Sequence, residues 1–168
     1  MTRRLPHTIK AFTAFVDGRG MIGRTTSGKL PVIKMKTEGH RDGGMDGETD
    51  LELGIEKMAA ELGFAELDRH VLGAVGSRNL PITLRGSMEG EGGAKVSVVA
   101  EMRGLVTEVD PGEWAGEAKK SEVKLMLTPD YYRLKIGPDV VYEIDLIGGV
   151  RRINGVDQLA QRRANLGL

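Results

Sequence analysis

The sequence has no cysteine, no long hydrophobic run and no net charge, and only 4% of its 168 residues are aromatic. Without cysteine, the chain can form no disulfide, no thiolate metal site and no thiol nucleophile. No apolar run approaches the roughly 18–20 residues of a membrane-spanning helix, so no membrane-spanning segment is predicted. The balanced charge argues against a nucleic-acid-binding protein that acts through overall basicity.

Glycine, by contrast, is abundant, with 24 residues. Together with the scarcity of aromatic residues, this indicates a chain rich in strands and turns with a modest core, rather than a helical bundle. The length suits one domain and is sufficient to bury a core. We therefore expect a single domain over residues 1–168, with an extended arm and a glycine-rich loop at about 24–50.

Apolar and polar residues alternate along several parts of the chain. A first strand is predicted at 11–16, ending at Asp17–Gly18, and further alternating runs occupy 82–89, 95–103, 122–128, 132–136 and 140–147. Alternation buries one face of a strand and leaves the other in water or against a neighbour. The predicted fold is mainly β, an antiparallel β-barrel or sandwich, with one internal α-helix and one C-terminal α-helix.

The two helices are predicted from apolar spacing and capping signals. Residues 66–75 carry apolar residues at helical spacing, and Gly76 is a candidate C-cap. The terminal helix is predicted to begin at Asn154 as N-cap, with Asp157 at the N3 position of a capping box. Arg162 and Arg163 would then lie near its C-terminal end, where positive charge is favourable.

The arm is predicted between the first strand and the internal helix. Residues 30–37 alternate, and Pro31 restricts them to an edge strand or an arm. Residues 38–50 form a polar, glycine-rich stretch that we expect to be a long loop. Residues 51–64 are predicted to be extended, with a bulge or bend near Glu56–Lys57 where the apolar parity changes.

Charge is segregated along the chain although the total is zero. Residues 1–41 hold nine basic residues and two acidic ones, whereas residues 42–68 hold nine acidic residues and one lysine. These segments can pair within one fold. They can also pair between copies, because a surface with one positive and one negative edge associates head to tail into rings or filaments.

No catalytic, cofactor-binding or metal-binding residues are predicted. The run Gly18–Gly23 matches a dinucleotide-binding glycine pattern, and residues 23–30 approach a P-loop, but extended sequence follows each instead of the required helix. The three histidines are scattered, and no nucleophile, base and oxyanion donor occur in a predicted catalytic context.

Several blocks of the sequence resemble a known family. These blocks are FVDGRG at 15–20, LPVIKMKTEGHRDGGMD at 30–46, YEIDLI at 142–147, RINGVDQL at 152–159 and QRRANLGL at 161–168. In this order they resemble the major tail tube proteins of contractile-tailed bacteriophages, which are related to the tube proteins of contractile bacteriocins and type VI secretion.

The resemblance implies a tail-tube-like fold and a structural role without cofactors. It implies six-membered rings that stack head to tail into a hollow tube, whose wall is continued from subunit to subunit. The implied partners are other copies, the tail sheath protein, the tape-measure protein, and the baseplate and tail-terminator proteins. DNA would pass through without sequence-specific binding, and the protein would belong to the virion after assembly in the bacterial host cytoplasm.

Three groups of residues are candidates for assembly contacts. A ring-stacking loop is proposed at His40, Arg41, Asp42, Gly43, Gly44, Met45 and Asp46, where the two glycines would permit positive φ or close backbone approach; a mobile surface loop is the alternative. The polar face of the strands, which would line either the lumen or the outer surface, includes Glu89, Glu101, Arg103, Glu122 and Lys124. The terminal helix, with Asn154, Asp157, Arg162 and Arg163, would contact the sheath or a neighbour, or be a solvated helix end.

Two other classes of function remain open from the sequence. The same tube could serve a headless contractile bacteriocin or a secretion system. The chain could instead be an oligomeric β-barrel binding module, or an enzyme that binds a nucleotide through its glycine-rich segment at 18–29; both predict saturable ligand binding in place of open-ended polymerisation.

Overall fold

The computed structural model describes residues 5–114 and 122–168 and consists mainly of antiparallel strands. The strands in chain order are β1 (Thr8–Val16), β2 (Arg19–Gly20), β3 (Thr25–Lys29), β4 (Met35–His40), β5 (Thr49–Ile55), β6 (Ala60–Phe64), β7 (Leu80–Glu89), β8 (Lys95–Asp110), β9 (Val123–Ile136), β10 (Asp139–Asp145), β11 (Val150–Ile153) and β12 (Val156–Asp157). The helices are α1 (Arg69–Leu72) and α2 (Ala160–Asn165), and a 3₁₀ turn occupies Glu91–Gly93.

One large sheet runs in the order β12-β11-β10-β9-β8-β7-β1-β2. Strand β9 changes its partner along its length: its first half pairs with β6, and its second half pairs with β10. Strand β6 in turn pairs with β3, which returns towards β1, where the Ala14 amide donates to the Thr25 hydroxyl at 3.2 Å. The sheet therefore curls around one core, as predicted for a β-barrel or sandwich.

The core lies on one face of the strands, as the alternation predicts. Val98, Ala100 and Met102 of β8 are buried, whereas the intervening side chains face outward. Met102 lies beside Ile82 of β7 and Tyr132 of β9, and these three side chains are fully or almost fully buried. The predicted strands are thus confirmed for β7, β8, β9 and β10, and the two-face arrangement for β7, β8 and β9.

The prediction of a long loop over 38–50 was wrong at both ends. Residues 38–40 belong to β4 and residues 49–50 to β5, and these strands pair as a hairpin whose turn covers only 41–48. Leu51 and Leu53 alternate with polar residues in β5, and the pairing of β5 with β4 continues through residues 49–50, which composition alone assigns to a loop. Between β5 and β6, residues 56–59 leave the strand altogether, so the expected bulge is a crossing from one sheet to another.

The internal helix is shorter than predicted. It covers one turn, Arg69–Leu72, instead of 66–75, and begins at Asp68, whose carboxylate accepts from the His70 amide at 2.7 Å. The C-cap is Gly73 instead of Gly76. The Gly76 amide instead donates to the Val106 carbonyl of β8 at 2.9 Å, so Gly76 pairs with the sheet and does not cap the helix.

The predicted start of the terminal helix was also wrong. Asn154 and Gly155 have φ of 47° and 82° and form the tight turn between β11 and β12. An Asn-Gly pair is a strong hairpin signal because both residues tolerate positive φ, and here it prevails over N-capping. Helix α2 begins only at Ala160, and the preceding Leu159 provides no side-chain cap.

Asp157 lies in strand β12, just before α2, and nevertheless anchors this helix through its hydrogen bonds. Its carboxylate accepts from the Arg163 guanidinium at 2.6 Å and from the Leu159 amide at 3.1 Å. Arg163 also donates to the Gly149 carbonyl at 2.8 Å. The hydrogen bond from Arg163, aided by that from the Leu159 amide, holds the pKa of Asp157 below its usual range.

The close approach of β8 to β9 at Gly104 gives a stability prediction. A Cβ on Gly104 would lie 2.1 Å from the Thr128 carbonyl oxygen and 2.7 Å from the Pro129 Cα, and backbone atoms cannot move aside cheaply. We expect Gly104→Ala to lower the free energy of unfolding by about 2–3 kcal/mol in equilibrium urea denaturation. The matched control is Gly86→Ala, whose Cβ would meet nothing nearer than 3.5 Å; an equal loss in both variants would contradict the steric account.

The anchoring of α2 gives a pH prediction. Since the pKa of Asp157 is lowered on folding, its stabilising effect is complete above its unfolded pKa, about 4, and is lost as the pH falls through its folded value. We expect the amide shifts of Ala160–Asn165 in unassembled protein to move to undocked values only below about pH 4. Asp157→Asn should remove this step, whereas Asp139→Asn should not; an unchanged step in Asp157→Asn would assign it to another group.

Candidate functional site

A largely exposed part of the fold is the hairpin of β4 and β5, which we call the arm (residues 35–55). It forms a two-stranded sheet of its own, in which Glu38 lies opposite Leu51 and His40 opposite Thr49. Almost all of its side chains are exposed, including Leu51 and Leu53, each about half exposed. A two-stranded hairpin is at best marginally stable in water, so the arm needs further contacts to stay ordered.

The tip of the arm is a turn closed by its own hydrogen bonds. The Asp42 carboxylate accepts from the Gly44 amide at 2.7 Å, and Arg41 donates to the Met45 carbonyl at 3.3 Å. The structure therefore brings the predicted loop residues together, with His40 at the end of β4. The expectation for the glycines is not met within the chain, because neither Gly43 nor Gly44 has positive φ, a Cβ on Gly43 would meet no atom within 4 Å, and one on Gly44 would meet only the Asp42 side chain at 3.4 Å.

A buried arginine fixes the base of the arm to the main sheet. Arg151 of β11 points to the core side, next to Ile144, and is only 5% exposed. Its guanidinium donates to Glu52 of β5 at 2.5 Å and contacts the Met35 sulfur at 3.9 Å. Sequence reasoning missed this contact; the available signal was the pair Arg151–Arg152, because strand alternation must turn one of two adjacent arginines inward.

Part of the segregated charge is neutralised within the chain. Arg24 pairs with Glu66 at 2.8 Å and with Asp68 at 3.1 Å, and Lys34 pairs with Glu56 at 2.9 Å. The acidic tip differs: within residues 5–114 and 122–168 no ion pair involves the side chains of Asp42, Asp46, Glu48 or Asp50. The tip thus has exposed negative charge that the described part of its own chain does not neutralise.

Basic side chains lie on β2, on α1 and in the segment that precedes β7. Arg19 hydrogen-bonds His70 at 2.8 Å, which holds β2 against α1, and Arg69 and Arg78 are exposed nearby in sequence. These four residues are called the basic cluster below. Its charge is opposite to that of the arm tip.

The outward face of the main sheet carries a row of alternating charges across six elements. Five members lie in direct register on the adjacent strands β8 to β12, and the sixth lies on α2. In this order they are Glu101, Arg133, Glu143, Arg152, Asp157 and Arg163. Ion pairs join Glu101 to Arg133 at 3.6 Å and Glu143 to Arg152 at 2.5 Å. Each positive group lies beside a carboxylate, so this charged row is neutralised along its length.

The predicted polar-face residues do not form one patch. Glu101 belongs to the charged row, and Arg103 stacks its guanidinium 5.2 Å from the centre of the Tyr131 ring. Glu89 lies at the end of β7 and pairs with Lys10 and Lys95. Glu122 precedes β9, and Lys124 lies at its start, at the opposite end of the sheet.

The predicted helix-contact residues also separate. Asp157 and Arg163 satisfy each other, and Asn154 lies in a turn. Arg162 remains on the surface and lines a small cavity of about 150 Å³ with Gly54 and Ile55 at the base of the arm. Among these four residues, only Arg162 therefore borders this cavity at the base of the arm.

Chemical sites are sparse in the described residues. No group of three or more potential metal-ligating side chains occurs in 5–114 and 122–168. The glycine pattern at 18–23 begins in a turn where Gly18 has φ of 74° and contains the short strand β2, and strand β3 follows the pattern in place of a helix. In the same part of the chain, no helix has the length and apolarity to cross a membrane.

Solved structures share this fold. A sheath/tube terminator of the extracellular contractile injection system PVC aligns with a TM-score of 0.60 and 12% identity, covering 78% of this chain and 97% of its own. The tube-terminating cap of the anti-feeding prophage aligns with a TM-score of 0.60 and 16% identity, covering 81% and 93%. At these identities the likeness establishes the fold.

Sequence comparison identifies the family. The chain is 33% identical to the tail tube protein of Escherichia phage P2 over 98% of its length and 99% of the relative's. It is 30% identical to the major tail tube protein of Serratia phage KSP20, over 90% of each chain. The family described as phage tail tube protein FII matches residues 6–167, and the chain therefore belongs to this family of structural tail tube proteins of contractile-tailed phages.

Proposed function

We propose that copies of this chain form six-membered rings that stack head to tail into the inner tube of a contractile phage tail, the conduit for DNA ejection into the host. The observation that carries the proposal is the exposed, acid-tipped arm on a chain of the tail tube family. An arm that cannot bury a core of its own, with charge unpaired within the described chain, is suited to bind another copy. The proposed role is structural and involves no catalytic step.

The arm tip is proposed to bind the basic cluster of a copy in the adjacent ring. The tip carries Asp42, Asp46 and Glu48, and the cluster carries the arginines Arg19, Arg69 and Arg78, with His70 accepting a hydrogen bond from Arg19. Opposite charges on two surfaces of one chain favour a heterologous contact, which repeats from ring to ring. The predicted ring-stacking residues at 40–46 thus keep their proposed role, now with an acceptor surface.

The charged row is proposed to line the bore. DNA must move through a tube without being held, and unpaired lysine and arginine would bind its phosphates. In the row each arginine is already within an ion pair, as Arg152 is with Glu143 and Arg163 with Asp157. A wall of this kind is consistent with passage of DNA without sequence-specific binding.

Other tail components complete the proposal. A sheath protein would surround the tube, a tape-measure protein would set its length, and baseplate and terminator proteins would close its ends; assembly would occur in the host cytoplasm. Both curated relatives come from phages, which favours a phage tail over a headless bacteriocin or secretion tube.

Charge reversal at the arm tip tests ring stacking. We expect wild-type protein at low salt to form hollow tubes in negative-stain electron microscopy. Asp46→Lys with Glu48→Lys should raise the critical concentration for tube growth by about tenfold or more and leave single rings, because the tip then repels the basic cluster. Adding Arg69→Glu and Arg78→Glu should restore tubes.

The control is an equal change of charge away from the arm, Glu91→Lys with Glu113→Lys, both exposed. It should leave the critical concentration within about twofold of wild type. Tubes of normal length from the tip variant would rule out the stacking role of the arm.

A further inference from the structure

An open apolar groove separates β1 from β3. The two strands meet at Ala14 and Thr25 and diverge towards Ile9 and Lys29. The space between them has a volume of about 340 Å³ and is lined mainly by Ile9, Phe12, Gly28, Leu84, Val98 and Ala100. We call this space the seam groove.

In an isolated chain the seam groove leaves apolar side chains exposed to water, which is unfavourable in free energy. Ile9 is 55% exposed and Phe12 41% exposed, although both lie over the apolar floor of the core. No titratable side chain is held over the floor to select a polar ligand: Arg85 borders the groove, but its guanidinium stacks on Phe15, 5.7 Å from the ring centre. Exposed apolar patches that border a groove usually mark an interaction surface.

Both banks of the groove carry backbone edges that the described chain does not pair. In the ranges 5–114 and 122–168, β3 pairs only with β6, and β1 pairs with β7 and, over its last two residues, with β2. An extended segment with alternating apolar side chains can add to such an edge and place those side chains in the groove. The seam groove is therefore shaped for a strand.

The same chain carries a segment of that description. In β5, Leu51 and Leu53 alternate with Asp50 and Glu52, and the outer edge of β5 is unpaired in the described residues. Lys29 lies exposed on one bank of the groove, next to Gly28, whereas Lys10 on the other bank pairs with Glu89 of its own chain at 3.5 Å. The apolar residues thus match the floor, and the acidic Asp50 matches Lys29.

The arm and the groove lie at opposite sides of the main sheet. The arm is held by Arg151 of β11, whereas the groove borders β1, and β10, β9, β8 and β7 lie between these strands. We propose that β5 of one copy lies in the seam groove of the neighbouring copy in the same ring, with Leu51 and Leu53 over Phe12 and Ile9. This inference rests on the proposed self-assembly and adds a lateral contact to the stacking contact of the tip.

Cysteine pairs test the contact, because the chain has no cysteine of its own. We expect Leu53→Cys combined with Ile9→Cys or Phe12→Cys to give, on oxidation of assembled protein, a ladder of disulfide-linked species that ends at six copies. Leu53→Cys with Val156→Cys should give none, since Val156 is 66% exposed but lies outside the groove. Absence of the ladder from well-formed tubes, or a ladder that continues past six copies, would overturn the proposal.

Substitution of the groove provides an independent measurement. Ile9→Lys should raise the critical concentration for assembly by about tenfold, whereas Val156→Lys, of similar exposure, should change it less than about twofold. Normal tubes from Ile9→Lys that fail only to bind the sheath would assign the groove to the sheath and overturn the proposal. A ladder without tubes would contradict the proposed function but support the lateral contact. Tubes without a ladder would support the proposed function but contradict the lateral contact.

Discussion

A two-stranded hairpin cannot bury a core of its own, and the organisation of this protein depends on how that constraint is met. At the base of the arm it is met within the chain, where Arg151 leaves the core face of the main sheet to bind Glu52. Replacing either partner would leave the other unpaired, and for the buried arginine this is costly. Towards the tip the described chain offers nothing comparable, so a second copy is the natural source of the missing contacts.

The alternation of side chains along the strands determines which face of the main sheet is buried and which is exposed. One face of β7–β10 forms the core, and the other carries the charged row, in which neighbouring strands place opposite charges side by side. Individual exposed ion pairs add little stability, but a continuous row determines which charges stay available to a passing polyanion. The same sheet thus provides a rigid wall with a row of paired charges, while the arm and the seam groove occupy its two sides.

The sequence was sufficient for the fold class, because alternation along β7, β8 and β9 reports burial directly. It was insufficient where two local signals competed: Asn154–Gly155 fits a helix N-cap as well as a hairpin turn, and only the pairing of β11 with β12 decides between them. The hairpin at 35–55 was concealed by a glycine-rich composition typical of loops. The Arg151–Glu52 contact joins residues 99 positions apart, and no local pattern encodes such a partner.

The central claim is that the arm links one copy to others, and a helical reconstruction of assembled tubes by cryo-electron microscopy tests it most directly. The account predicts six copies per ring, with each arm leaving its own sheet at Arg151 and making its remaining contacts on other copies. Ordered tubes in which the arms fold back on their own chains, or project into solvent without contacts, would contradict it.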